Sequence, residues 1–155
     1  MSMSTIVYRT YEGPLSEEVI HWLAGLSQVL FGGGDADQLQ QALKGKQKIL
    51  ACVAFAGDEP IGFKVGYQER LHYFESWQGG VVEQQRSRGV ASELMRIQHA
   101  WCAAQGFRIL TTITDNKNVA MLTLNMRHGF VIVGTFIDRK KHVKLILQKH
   151  LSEDD

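Results

Sequence analysis

Val81-Val82-Glu83-Gln84-Gln85-Arg86-Ser87-Arg88-Gly89-Val90-Ala91-Ser92 joins the end of a β-type run to the start of an amphipathic pattern. From Gly89 to Gln105, Val90, Leu94, Ile97 and Trp101 make one apolar stripe, broadened by Ala91, Met95 and Cys102, as in a helix packed on a sheet. Between strand and helix lies a short polar turn with two arginines, Arg86 and Arg88. Amides at a helix start have no intrahelical acceptor and carry the positive end of the helix dipole, so such a turn suits a phosphate or pyrophosphate. Gly89 lets the backbone approach that ligand closely, and small Ala91 and Ser92 leave it room. A plain strand-to-helix turn with solvated arginines reads the same way from this stretch alone. No Gly-Lys-Ser/Thr follows and no Gly-x-Gly-x-x-Gly is present, which excludes a Walker loop and a dinucleotide fingerprint.

Working outward, Tyr73 to Val82 is the strand that enters the turn, with Gly79-Gly80 predicting a bulge or a close backbone approach. Upstream, Lys48 to Ala56 and Ile61 to Tyr67 flank the turn signal Gly57-Asp58-Glu59-Pro60 and predict a hairpin. Ile6 to Thr10 is a short strand. Ser16 offers an N-cap to a helix from Ser16 to about Leu30, and Asp35 to Lys44 is a second, shorter helix. Downstream come a strand at Ile109 to Thr114, a helix at Asn118 to His128, and closing strands at Val131 to Ile137 and Val143 to Leu147. The order β-α-α-β-β-β-α-β-α-β-β predicts one mixed α/β (α+β) domain over residues 1–155, without repeat or linker.

Composition narrows the function classes. Apolar residues make up 45% of the 155 residues, charged residues 21%, and the formal net charge is +1. That balance offers no broad electrostatic footprint for nucleic acid or an anionic membrane. Arg139-Lys140-Lys141 is short enough to be a hairpin turn. Cys52 and Cys102 sit in apolar contexts at no metal-ligand spacing and are expected to be reduced core thiols. No His/Cys/Asp cluster suggests a metal. The opening Met1-Ser2-Met3-Ser4-Thr5 shows no signal-peptide pattern and no run is long enough to span a membrane, so a cytoplasmic protein is expected.

Two segments carry a specific resemblance. Arg86-Ser87-Arg88-Gly89-Val90-Ala91 resembles the Arg/Gln-x-x-Gly-x-Gly/Ala motif of the Gcn5-related N-acetyltransferase (GNAT) superfamily. Asn118-Val119-Ala120-Met121-Leu122-Thr123-Leu124-Asn125-Met126-Arg127-His128-Gly129-Phe130 resembles its Asn-x-x-Ala-x-x-Leu-Tyr-x-x-x-Gly-Phe segment. The resemblance implies a GNAT-like mixed sheet of six to seven strands, splayed in the middle and flanked by about four helices. It implies acetyl-CoA as co-substrate, with no metal. The backbones of Arg86, Ser87, Arg88, Gly89, Val90 and Ala91, with Ser92 next, would hold the pyrophosphate. Val81 and Val82 would bond the pantetheine arm, the thioester would lie beside Trp77 to Gly80, and Asn118 would be a further cofactor contact.

The resemblance also implies direct transfer to a primary amine, with no acyl-enzyme and with the oxyanion held by a backbone N–H of the splayed strand. Glu75 stands at the spacing of the general-base glutamate of the histone-acetylating members, and its alternative reading is a solvent-facing strand residue. Glu83 reads as solvated. Many members carry a tyrosine, as proton donor to the CoA thiolate, where this chain has Asn125. An amide is no ordinary acid. Asn125 is therefore a candidate CoA contact, and the acid is left open between water, Tyr73 and none. Acceptor recognition is expected from residues 22–37 and 68–73, with Asp35, Asp37 and Glu69 attracting a cation and Trp22, Phe31, Tyr67, His72 and Tyr73 walling a pocket. Small-molecule amines, peptides and proteins stay open as acceptors, as does a homodimer. The competing class is a non-catalytic acyl-CoA-binding sensor.

Overall fold

The Ser16 side chain accepts the Val19 amide, and Glu17 and Glu18 follow in the first turn, so α1 (Glu17–Phe31) starts where its cap stands. Asp35 and Gln38 form a reciprocal capping box at the start of α2 (Ala36–Leu43). The other elements are β1 (Ile6–Glu12), β2 (Gln47–Ala56), β3 (Glu59–Arg70), β4 (Tyr73–Val81), α3 (Val90–Ala104), β5 (Ile109–Asp115), α4 (Val119–Arg127), β6 (Val131–Ile137) and β7 (Val143–His150). A 3-10 turn at Glu83–Gln85 links β4 to α3. This computed structural model describes residues 5–151.

The seven strands form one mixed sheet in the order β1-β2-β3-β4-β5-β7-β6. Strand alternation sends Ala51, Val53, Phe63 and Val65 to one face, beneath α1 and α2, and Cys52, Ala54 and Phe74 to the other, beneath α3, where the bulge between Gly62 and Pro60 also turns Ile61. α3 ends as its sequence predicts: Gly106 takes φ +89°, Phe107 N–H reaches Cys102 O at 3.0 Å, and the Phe107 ring packs on Trp101 and Phe74.

The sheet opens at its centre. β4 and β5 run parallel but pair only from Tyr73–Ile109 to Glu75–Thr111. One further stitch, Thr112 Oγ1 donating to Ser76 O at 2.8 Å, closes the contact. Beyond it β4 stays laddered to β3 as far as Val81, while β5 stays laddered to β7 along its length. Each half keeps its own partner, and the strands diverge between them.

The structure differs from the sequence reading in detail. β3 continues to Arg70 and β7 to His150, because their polar tails still pair in the ladders. The irregularity in β4 lies at Trp77, between the pairs Val65–Gln78 and Gly66–Ser76, rather than at the two glycines. Gly79 and Gly80 stand in regular register, and close approach explains them. A Cβ on Gly80 would lie 2.8 Å from Leu30 Cδ1, and one on Gly79 3.2 Å from Lys64 Cγ.

Candidate active site

The turn after β4 folds back on itself. Arg86 Nε donates to Val81 O at 3.1 Å, tying the turn to the strand end. Ser87 and Gly89 both take positive φ, +65° and +78°, and the first backbone bond of α3 is Glu93 N–H to Gly89 O. The amides of Val90, Ala91 and Ser92 precede that bond and point out of the helix start. They face a hollow of about 200 Å³ lined by Val81, Gln85, Arg86, Ser87, Gly89, Val90, Ala91, Ser92 and Leu124. Hydrogen-bond donors, a helix dipole and one arginine there make an anion cradle.

The hollow continues inward. A smaller space of about 20 Å³ shares Val81, Ala91 and Leu124 with it and reaches Gly79, Gly80, Phe63, Lys64, Leu94 and Met121. Val82 N–H bonds Ile61 O at 2.8 Å, so it points toward β3. By strand alternation the N–H and C=O of Val81 and Gly79 turn to the open β5 side. An elongated ligand lying from the α3 start into the gap would therefore meet the Val81 N–H and the Gly79 backbone, the Val81 C=O being taken by Arg86.

Behind the gap, on the α3 face, polar groups are buried without partners. Lys64 is 8% exposed, and burial pushes its amine down to about 8. The Oγ of Ser76, both side-chain polar atoms of Gln98 and Nε2 of His99 have no hydrogen-bond partner among the described residues. Burial, with Lys149 beside it, holds His99 down to about 3, so its ring is neutral; its Nδ1 lies 2.9 Å from Lys149 Nζ.

On the opposite face Glu75 sits at the last pair before the strands part. Thr111 Oγ1 donates to its carboxylate and lies 3.4 Å from Glu69 Oε2. Burial pushes the Glu75 carboxyl above its ordinary range, the Thr111 hydrogen bond opposes that, and nearby Glu69 adds to it. The two acids, Tyr67 and Lys46 line an open cavity of about 480 Å³. Lys46 Nζ lies 4.7 Å from the Tyr67 ring centroid. A second space of about 260 Å³ lies between Trp77, Gln78 and helices α1 and α2. A third cavity, of about 800 Å³, lies along α2 and β2 and shares Gly45 and Lys46 with this trench.

A model of the acetyltransferase (GNAT) family matches residues 16–130. The chain belongs to the GNAT family. Its fold agrees with that of the ribosomal-protein-S18-alanine N-acetyltransferase of Escherichia coli, at TM-score 0.79 and 12% identity, covering 96% of this chain and 97% of that one. It agrees equally with an aminoglycoside 6'-N-acetyltransferase complexed with coenzyme A, at TM-score 0.79 and 13% identity, covering 96% and 99%. The structure of yncA from Salmonella typhimurium with its cofactor acetyl-CoA gives TM-score 0.75 and 13% identity, covering 96% and 95%. No curated protein matches the chain.

Against this GNAT frame, the structure gathers Val81, Arg86, Ser87, Gly89, Val90, Ala91 and Ser92 around one hollow. Arg88 does not line it, and its guanidinium turns to Gln85. Val82 lies at the strand end with its N–H bonded to Ile61 and its C=O accepting Gln85 N–H, so its N–H is not free for a pantetheine arm. Asn118 caps α4, accepting Met121 N–H at 3.1 Å. Asn125 is 2% exposed and donates to Thr114 Oγ1 at 3.1 Å, so it ties α4 to β5 from outside the hollow. Of the expected acceptor residues, Tyr67 and Glu69 stand with Glu75. Trp22 does not; it packs on Tyr11 and Phe55 in the α1 core. Asp35 is occupied in its capping box, and Tyr73 is covered by the Arg70 guanidinium at 3.9 Å. Sequence reasoning passed over Thr111 and Lys64. A lone lysine within Ile61-Gly62-Phe63-Lys64-Val65-Gly66 was the available signal.

Proposed function

We propose that the chain is an acetyl-CoA-dependent N-acetyltransferase that moves the acetyl group to a primary amine by direct attack. The observation that carries this is the continuity of the α3 cradle with the gap beside Gly79 and Val81. The cradle would take the pyrophosphate, the Val81 and Gly79 backbone the pantetheine arm, and the inner space the thioester. Gly79 or Val81 N–H would then receive the oxyanion. The amine arrives from the α1/α2 face, where Glu75 accepts its proton through water. Glu69 and Glu75 favour a cationic acceptor, and the open trench suits either a peptide end or a small amine, as the S18-alanine and aminoglycoside enzymes are named for.

No helix among the described residues is long and apolar enough to cross a membrane, and a cytoplasmic enzyme is part of the same reading. So is a homodimer. β6 is a sheet edge that exposes Val131, Ile132, Val133 and Ile137, and sedimentation would show whether a second copy covers it.

Calorimetric titration with acetyl-CoA, with dephospho-CoA and NAD as controls, tests the cofactor half. Thiol release with panels of amines and peptides tests the transfer. A second reading, an acyl-CoA sensor without turnover, draws on Asn125 standing bonded to Thr114 where a tyrosine acid is common. Saturable binding with no thiol release from any amine would favour it.

A further inference from the structure

The proposed transfer leaves a charge without a partner. When the carbon–sulfur bond breaks, the electron pair goes to sulfur, and the thiolate needs a proton. Asn125 cannot supply one, so the lining of the inner gap has to be searched for a group that can. Among its residues Phe63, Gly79, Gly80, Val81, Leu94 and Met121 carry no acid, and Lys64 does.

The placement of Lys64 is specific. It pairs with Gly79 across the β3–β4 ladder, in a pair whose backbone groups face away from each other. Gly79 has no side chain to hold Lys64 off, and the lysine stem lies over the strand whose other edge faces the gap. No carboxylate answers its charge, and its Nζ has no hydrogen-bond or ion-pair partner among the described residues. The groups around it are Cys52 from β2, His99 from α3, which lies against Lys149 of β7, and His128 at the end of α4, and none is an anion at neutral pH. An ammonium buried without a counter-ion is costly unless a ligand brings the negative charge.

We propose that Lys64 is the proton donor to the departing CoA sulfur, acting from β3 where many relatives use a tyrosine on α4. The inference rests on the acetyl-CoA reading above. The amine nitrogen forms the new bond to the acetyl carbon, and the carbonyl pair moves to oxygen. That pair then returns as the carbon–sulfur bond breaks. The sulfur takes a proton from Lys64 Nζ, the amide nitrogen loses one toward Glu75, and both groups re-equilibrate with water. The products are the amide and free CoA.

The test uses the full chain with CoA bound and needs no acceptor. The CoA thiolate is titrated by its ultraviolet absorbance in the wild type, Lys64→Met, Lys64→Gln and Lys64→Arg, each first checked by thermal melting and CoA calorimetry. An adjacent ammonium should make the bound thiol titrate about 1 pH unit or more lower in the wild type and Lys64→Arg than in the neutral variants. Turnover should fall roughly 10²-fold in all three variants, because arginine keeps the charge but does not release the proton. The split between thiol acidity and turnover in Lys64→Arg is one that a merely structural role would not produce. Equal thiol titration in the wild type and both neutral variants, with CoA bound in all, overturns the assignment. So does one acetyl group found on Lys64 after incubation with acetyl-CoA, which would make it a nucleophile. Failure of the wild type to bind CoA at all overturns the cofactor reading first, and this inference with it.

Discussion

Replacing Lys64 with methionine should stabilise the protein while disabling it. Burial lowers the Lys64 amine from 10.5 to about 8. At roughly 1.4 kcal/mol per unit, holding it charged in the folded state costs about 3 kcal/mol. The folded value lies below the unfolded one. Below pH 8 both states carry the proton and the whole penalty is present. Between about 8 and 10.5 the folded state has released its proton while the unfolded chain keeps it, so the penalty fades. Lys64→Met, similar in length and uncharged, should therefore exceed the wild type by about 3 kcal/mol at pH 7 and by only about 1 kcal/mol at pH 10. For a domain of this size the pH 7 gain corresponds to a melting shift of roughly 6–12 °C. Urea denaturation of both proteins at a series of pH values, under reducing conditions, measures the gap. Cys52 is pushed up to about 12 by burial and Cys102 is also raised, so both weaken either protein above the ordinary thiol range. The Cys102 contribution cancels in the difference. Cys52 is held lower by the Lys64 charge and shifts further up when that charge is removed, so the comparison is cleanest below the thiol range. A destabilised Lys64→Met at pH 7, or a gap unchanged from pH 7 to 10, would refute the reasoning.

Three further outcomes follow from the site. Gly89 has φ +78°, with nothing within 4 Å of an added Cβ, so strain and charge rather than crowding decide its substitutions. Gly89→Asn, which tolerates the left-handed region, should keep acetyl-CoA affinity within a few-fold, while Gly89→Glu should lose about 10-fold or more by calorimetry. Glu75→Gln should lower kcat roughly 10²-fold and abolish the acidic limb of the pH–rate profile. That limb should lie above the ordinary carboxylate range in the wild type, because burial raises Glu75 and a base must be ionised to act. Asn125→Ala removes the bond to Thr114 inside the core and should cost about 1–3 kcal/mol in urea denaturation, with little change in acetyl-CoA affinity. A tenfold weaker cofactor would instead make Asn125 a direct contact.

The helices and their caps were legible because their signals are local. Ser16, Asp35, Gly106 and Asn118 each act within a turn of their own position. The polar turn before α3 was legible for the same reason, since two arginines, a glycine and the helix stripe lie in one short stretch. What could not be read was set by register between distant strands. The partner of Glu75 is Thr111, supplied across the parallel pair β4–β5, and no periodicity in either strand announces the pairing. The Trp77 irregularity follows from its offset against Val65 and Gly66, which neither strand encodes alone. Val82 looked available for a ligand until the ladder assigned its N–H to Ile61.

Lys64 shows why that limit matters for function. In sequence it is one cation in an apolar strand, and alternation alone places it on a buried face, which a stability argument would call an error. The opposite glycine converts the error into access, because Gly79 leaves the lysine stem lying over the strand that borders the gap. Proteins keep such unfavourable groups where activity needs them, and removing them commonly raises stability at the expense of function. The unpartnered atoms of Ser76, Gln98 and His99 are buried as well, beside the hydrogen-bonded Thr111, Thr112, Thr114 and Asn125. Among the described residues Lys64 is the one charged side chain lining the inner space, and a buried amine kept there at a cost in stability is what the proposed proton donor requires.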